Sequence, residues 1–169
     1  LDVPDCDETS LATVRQALNV LAGTKADASS MFGDKAKLNP IDHLLGTAYG
    51  WGGNPKQAAV YQNGVPAAND GTTPHVLSVR DVPVDGFWSI TVYNAKGFME
   101  PNARNAYSVN NVTARRDADG GVTVHFGGDP AASNFLPITP GWNYVVRMYR
   151  PRQPVIDGTW RFPEADVAR

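Results

Sequence analysis

Gly86-Phe87-Trp88-Ser89-Ile90-Thr91-Val92-Tyr93-Asn94 is the stretch on which the fold turns. Its side chains alternate: Trp88, Ile90 and Val92 share one side, while Phe87, Ser89, Thr91 and Tyr93 share the other. A period of two in a run rich in β-branched and aromatic residues predicts a strand with one apolar face. Working outward, the same period recurs. Ala58 to Val65 reads as a strand, followed by an Asn69-Asp70-Gly71 turn. His75 to Val79 sets His75, Leu77 and Val79 against Val76 and Ser78. Asp119-Gly120-Gly121 is a hairpin-type turn leading into Val122 to Phe126, with Val122, Val124 and Phe126 inward and Thr123 and His125 outward. Asn143 to Tyr149 is the last clear strand, and Pro151 and Pro154 end it.

The first 55 residues have a different period. Glu8 to Ala22 carries Leu11, Val14, Leu18 and Leu21 at helical spacing, with Gly23 as its stop. Thr24 to Leu38 is polar and reads as loop. Asn39-Pro40 then supplies a cap and a proline at the first helical position, ahead of an apolar stripe of Ile41, Leu44, Leu45 and Ala48 closed by Gly50. Asn54-Pro55 repeats the start signal for one short turn. The expected architecture is mainly β, an antiparallel β-sandwich of jelly-roll type with a small helical N-terminal part. Residues 1–55 are expected to form a helical extension packed on the sandwich of residues 56–169, the two making one domain.

Composition narrows the function classes. The net charge is −2, and 15 Lys and Arg are scattered among 17 acidic residues, so there is no basic stripe for nucleic acid. The denser basic stretches, Arg115-Arg116 and Arg147 to Arg152, read as solvated strand ends or turns. No apolar run approaches the ~20 residues that a membrane-spanning helix needs, so a soluble protein is expected. The chain begins at Leu1 and has no signal-like apolar segment, which reads as a processed or truncated N-terminus. Cys6 is the only cysteine, among Asp5, Asp7 and Glu8, which disfavour a thiolate.

Catalytic motifs are sparse. There is no G-x-S-x-G elbow, and Ser89 sits mid-strand, a poor place for an exposed nucleophile. The three histidines, His43, His75 and His125, show no metal-ligand spacing, so neither metal nor cofactor is expected. His75 is the histidine of interest. It shares a face with Leu77 and Val79 at the start of its strand, so it either caps the core through one backbone carbonyl or stands at the mouth of a pocket. Aromatic and amide side chains at strand ends or in adjoining loops supply the rest: Trp51 within Gly50-Trp51-Gly52-Gly53, then Tyr61, Tyr93, Asn94, Tyr107, Asn110, Asn111 and Trp142. Rings beside amides suit sugars and other small polar molecules, although the same residues also build cores and turns.

Several of these residues recur in order in a known family. The run Gly86 to Asn94, then Gly97-Phe98, Asn102, Tyr107-Ser108, Leu136-Pro137 ahead of Trp142, Arg147-Met148-Tyr149 and Asp157-Gly158-Thr159-Trp160, resembles the DUF1214 family over roughly residues 40 to 165. The resemblance implies a jelly-roll-like sandwich that commonly follows a DUF1254 domain, a domain this sequence does not show. Some members are labelled hydrolases or carboxylesterases. Three functional readings are open. The first is a binding or accessory module for a small molecule or carbohydrate, with a DUF1254-like partner domain. The second is an esterase-like hydrolase using His75 with Tyr93 or a nearby carboxylate. The third is a structural jelly roll assembling through its sheet faces, as a homo-oligomer.

Overall fold

Alternation in the sequence becomes two sheets in a computed structural model, which describes residues 5–25, 31–50 and 52–169. The chain divides into two compact units, Leu1–Lys56 and Gln57–Arg169. In the first, α1 (Glu8–Ala22) is capped by Asp7, whose carboxylate accepts hydrogen bonds from the Thr9 amide and the Ser10 hydroxyl. In α2 (Pro40–Tyr49), the Asn39 side chain accepts from the amides of Ile41 and Asp42. Ala22, Met31 and Leu45 form a small core with Leu18 and Phe32 against it. The expected apolar stripes are buried only in part. Leu11, Val14 and Leu21 on α1, and Ile41 and Leu44 on α2, are exposed. Two short helices cover only the stretch where they touch.

The second unit carries β1 (Ala59–Gly64), β2 (His75–Val79), β3 (Trp88–Tyr93), β4 (Ser108–Asn110), β5 (Val122–Phe126), β6 (Phe135–Leu136), β7 (Asn143–Tyr149), α3 (Gln153–Ile156) and β8 (Asp166–Val167). The strands form two four-stranded sheets, in the orders β1-β7-β3-β4 and β6-β5-β2-β8. Pairing is antiparallel except between β5 and the two-residue β6, which run parallel. One core joins the sheets: Trp88, Ile90, Val92, Tyr144, Val146 and Met148 from the first meet Leu77, Val79, Val122, Val124 and Phe126 from the second. The fold is therefore mainly β, a two-sheet sandwich. No helix among the described residues is long and apolar enough to cross a membrane.

Two local features shape the two faces of the first sheet. Ser89 and Thr91 face away from the core yet are only 8% exposed each. β3 is an interior strand, and these short side chains lie beside the larger Arg147 and Val145 of β7. On the core side, Gly64 pairs with Tyr144, and a β-carbon there would fall 2.0 Å from the tyrosine ring. The residue at 64 must therefore be glycine for Tyr144 to keep its place.

Candidate functional site

His75 begins β2 on the core side and is 2% exposed. Its Nδ1 lies 2.9 Å from the Thr73 carbonyl oxygen, so in the neutral ring Nδ1–H donates and Nε2 is left as the acceptor. The ring meets Trp142 edge to face at 5.3 Å. Trp142 in turn stacks on Phe126 at 5.1 Å and on Tyr144 at 6.1 Å, with ring planes 28° and 29° apart. Trp142 is fully buried, and its indole N–H has no hydrogen-bond partner among the described residues. This end of the sandwich is a filled aromatic cluster.

The other histidines are bound in the same way. His43 Nδ1 lies 3.0 Å from the Met31 carbonyl, and His125 Nδ1 lies 2.8 Å from the Ser133 carbonyl. Among the described residues no histidine ring nitrogen bonds a hydroxyl, and no group of three His, Cys, Asp or Glu side chains is placed to hold a metal ion.

Three candidates do converge. Tyr93, Asn94 and Tyr107 line one crevice with Glu100, Asn102 and Thr139 at the end of the first sheet. Asn94 builds it: Oδ1 accepts from the amides of Lys96 and Phe98, and Nδ2 donates to Glu100 Oε2 at 2.6 Å. Asn102 holds the return of the loop, accepting from the amides of Arg104 and Ala106 and donating to the carbonyls of Glu100 and Ala106. The crevice measures ≈10 Å³, room for a single water. A larger ligand requires the loop between Asn94 and Tyr107 to swing out, and that loop carries Phe98 and Met99 exposed at its surface.

The remaining candidates lie elsewhere. Tyr61 sits on β1 directly opposite Arg147, on the outer face of the first sheet. Trp142 belongs to the core with His75, and Trp51 lies outside the described residues. Thus His75 and Trp142 are brought together inside, while Tyr61 and Tyr93 flank Arg147 outside. The structure does not gather them around one pocket.

Arg147 is the functional candidate that sequence reasoning missed. It is not a solvated strand end: it is half-buried on an interior strand, and its Nη2 donates to the Tyr93 hydroxyl at 2.8 Å. Its guanidinium carbon also lies 5.7 Å from the Tyr93 ring centre, within cation–π range. The signal was present in the strand Asn143 to Tyr149, where Arg147 is the lone charge.

The profile of the family described as "Protein of unknown function (DUF1214)" matches residues 58–153, from the start of β1 to the start of α3. The chain belongs to the DUF1214 family. The matched span holds β1 to β7, and with them Arg147, Tyr93 and the crevice. No curated protein matches this DUF1214 chain. Among solved structures, the VPA0106 protein from Vibrio parahaemolyticus is similar at 26% identity and a TM-score of 0.72, covering 99% of this chain and 47% of that one. An uncharacterized protein from Burkholderia cenocepacia is similar at 26% identity and a TM-score of 0.51, covering 76% of this chain and 33% of that one. This DUF1214 chain therefore spans about half the length of the first relative and a third of the second.

Proposed function

We propose that this domain is a non-catalytic binding module for a small uncharged polar molecule such as a sugar. One observation carries the reading: Tyr93, Asn94 and Tyr107 meet around one polar crevice, beside a loop that presents Phe98 and Met99 to solvent. Two rings, an amide and the Glu100 carboxylate supply the mixture of apolar wall and hydrogen-bonding groups that polar organic ligands require. Hydrolase chemistry has less support, because His75 is buried against Trp142 and its Nδ1 is engaged by a backbone carbonyl. The test is an amide-resolved NMR titration with neutral monosaccharides. Saturable shifts should cluster at residues 93–94, 98–107 and 137–139, and Tyr107→Ala should abolish them. Shifts that cluster elsewhere, or survive Tyr107→Ala, would refute the crevice.

A second observation favours an accessory role alongside binding. The exposed Leu11, Val14, Leu21, Ile41 and Leu44 leave the helical unit with apolar surface to cover, and the relatives are longer than this chain. The partner this reading names is a DUF1254-like domain. Co-expression should give a one-to-one complex by light scattering that is lost in a Leu11→Ser/Ile41→Ser variant. A homodimer, or no association, would reject that partner.

A further inference from the structure

We infer that the outer face of the first sheet carries an anion-recognition site, in which Arg147 takes the carboxylate of a small organic monoacid. Charge is the first support. Strand register surrounds Arg147 with Tyr61 and Ser89 across the sheet, Val145 and Tyr149 along its own strand, and Tyr93 at the end of β3. No carboxylate occurs at any position of β1, β7, β3 or β4. Every other described arginine is exposed, and two of them, Arg80 and Arg152, form ion pairs with aspartates. Arg147 alone is half-buried, and it has no acidic partner among the described residues. A partly desolvated cation without a counter-ion is unfavourable by itself, and the same low-dielectric setting strengthens its attraction for an incoming anion.

Geometry is the second, independent support. A guanidinium has five N–H donors in a planar fork, and the protein uses one of them, on the Tyr93 hydroxyl. That bond and the ring beside it fix the orientation of the group and leave donors for a bidentate contact. Ser89 and Thr91 lie on the same face, each more than nine-tenths buried, and neither hydroxyl has a hydrogen-bond partner among the described residues. Two unspent hydroxyls beside a fixed guanidinium form a donor set for an oxyanion. The class comes from counting charge. The face supplies one positive charge, which balances a monocarboxylate and not a phosphate dianion. The neighbouring tyrosine, valine and serine side chains suit a ligand with an apolar or aromatic body.

The site adjoins the crevice through Tyr93, which belongs to both, but Arg147, Ser89 and Thr91 do not line the crevice. The experiment titrates the full chain with benzoate, acetate and phosphate, following the Arg147 Nε–H resonance and the amides of Ser89 and Thr91 by NMR. Benzoate should bind saturably and move these signals. Arg147→Gln should weaken it by about tenfold or more, the scale of a lost charge-assisted bond. Arg147→Lys should fall between, since it keeps the charge and loses the fork. Tyr107→Ala should leave benzoate binding intact, which separates this site from the crevice. Circular dichroism establishes that each variant is folded. If Arg147→Gln does not fold, Tyr93→Phe takes its place, with the expected result a severalfold weaker affinity. Phosphate binding more tightly than benzoate would overturn the monoacid class. No saturable binding to the wild type, or equal binding by Arg147→Gln, would overturn the site.

Discussion

Replacing His75 with alanine separates a core role from a functional one, and the structure sets the expected size of the effect. The substitution removes the hydrogen bond to the Thr73 carbonyl, worth about 1 kcal/mol net. It also removes the edge-to-face contact with Trp142, worth roughly another 1 kcal/mol. The lost ring leaves a void beside a fully buried indole that also stacks on Phe126. The void adds a cavity cost, taking the total to roughly 3 kcal/mol, at the low end for buried aromatic truncations. For a domain of this size each kcal/mol lowers Tm by roughly 4 °C, so His75→Ala should melt about 12 °C below wild type. His75→Gln retains a donor able to reach the carbonyl and should lose only about 1–3 kcal/mol. Thermal melts followed by circular dichroism, with urea unfolding as a check, measure both. A His75→Ala protein that melts within about 2 °C of wild type and fails to bind sugars would refute the core assignment and make His75 a ligand contact.

Three other perturbations have expected outcomes of the same kind. Trp88→Ala should cost about 3–5 kcal/mol in urea unfolding, because Trp88 is a buried ring in edge-on contact with Phe162; a change below about 1 kcal/mol would mean that β3 has its faces reversed. Gly64→Ala should cost about 1–3 kcal/mol, since the new methyl collides with a Tyr144 ring tied to the Ala165 amide, and a neutral result would show that Tyr144 can move aside. Asp70 is held well below the ordinary carboxylate pKa by hydrogen bonds from the amides of Thr73 and Thr72 and from the Thr73 hydroxyl. A depressed folded pKa gives stability that is present above the unfolded value near pH 3.9 and lost as pH falls through the folded value. Between about pH 4 and pH 2 the wild-type Tm should therefore fall more steeply than that of Asp70→Asn; parallel curves would remove Asp70 from the acid response.

What the sequence made legible depended on whether the deciding contact was local. The strands with five or more residues announced themselves by alternation, and the helix cap Asn39 by its position before Pro40 and an apolar run. Ser108–Asn110, Phe135–Leu136 and Asp166–Val167 carry too few residues for a period, and they are strands because a partner's register makes them so. The same distinction governs the site. That His75 points inward was readable from Leu77 and Val79, but whether it met a pocket or a filled core depended on Trp142, from a distant part of the chain. Arg147 shows the limit most clearly. Its own strand revealed the charge, whereas the missing carboxylates and the idle hydroxyls of Ser89 and Thr91 belong to neighbouring strands.

Perturbed pKa values mark where hydrogen bonds and burial, and not solvent, set the charge of a group. Asp7 is lowered by its hydrogen bonds at a helix cap, chiefly from Ser10, and Asp70 by those of a turn. Tyr144 is pushed up by burial in the core, even though its hydroxyl accepts a hydrogen bond from the Ala165 amide that acts in the opposite direction. Each shift has a structural cause at a structural place, and none borders the crevice or Arg147. Arginine does not titrate in proteins, so the half-buried cation of this domain can attract and orient an anion but cannot exchange a proton with it. The shifted groups thus mark a helix cap, a turn and the core, while Arg147 keeps a fixed charge for the anion inferred to bind it.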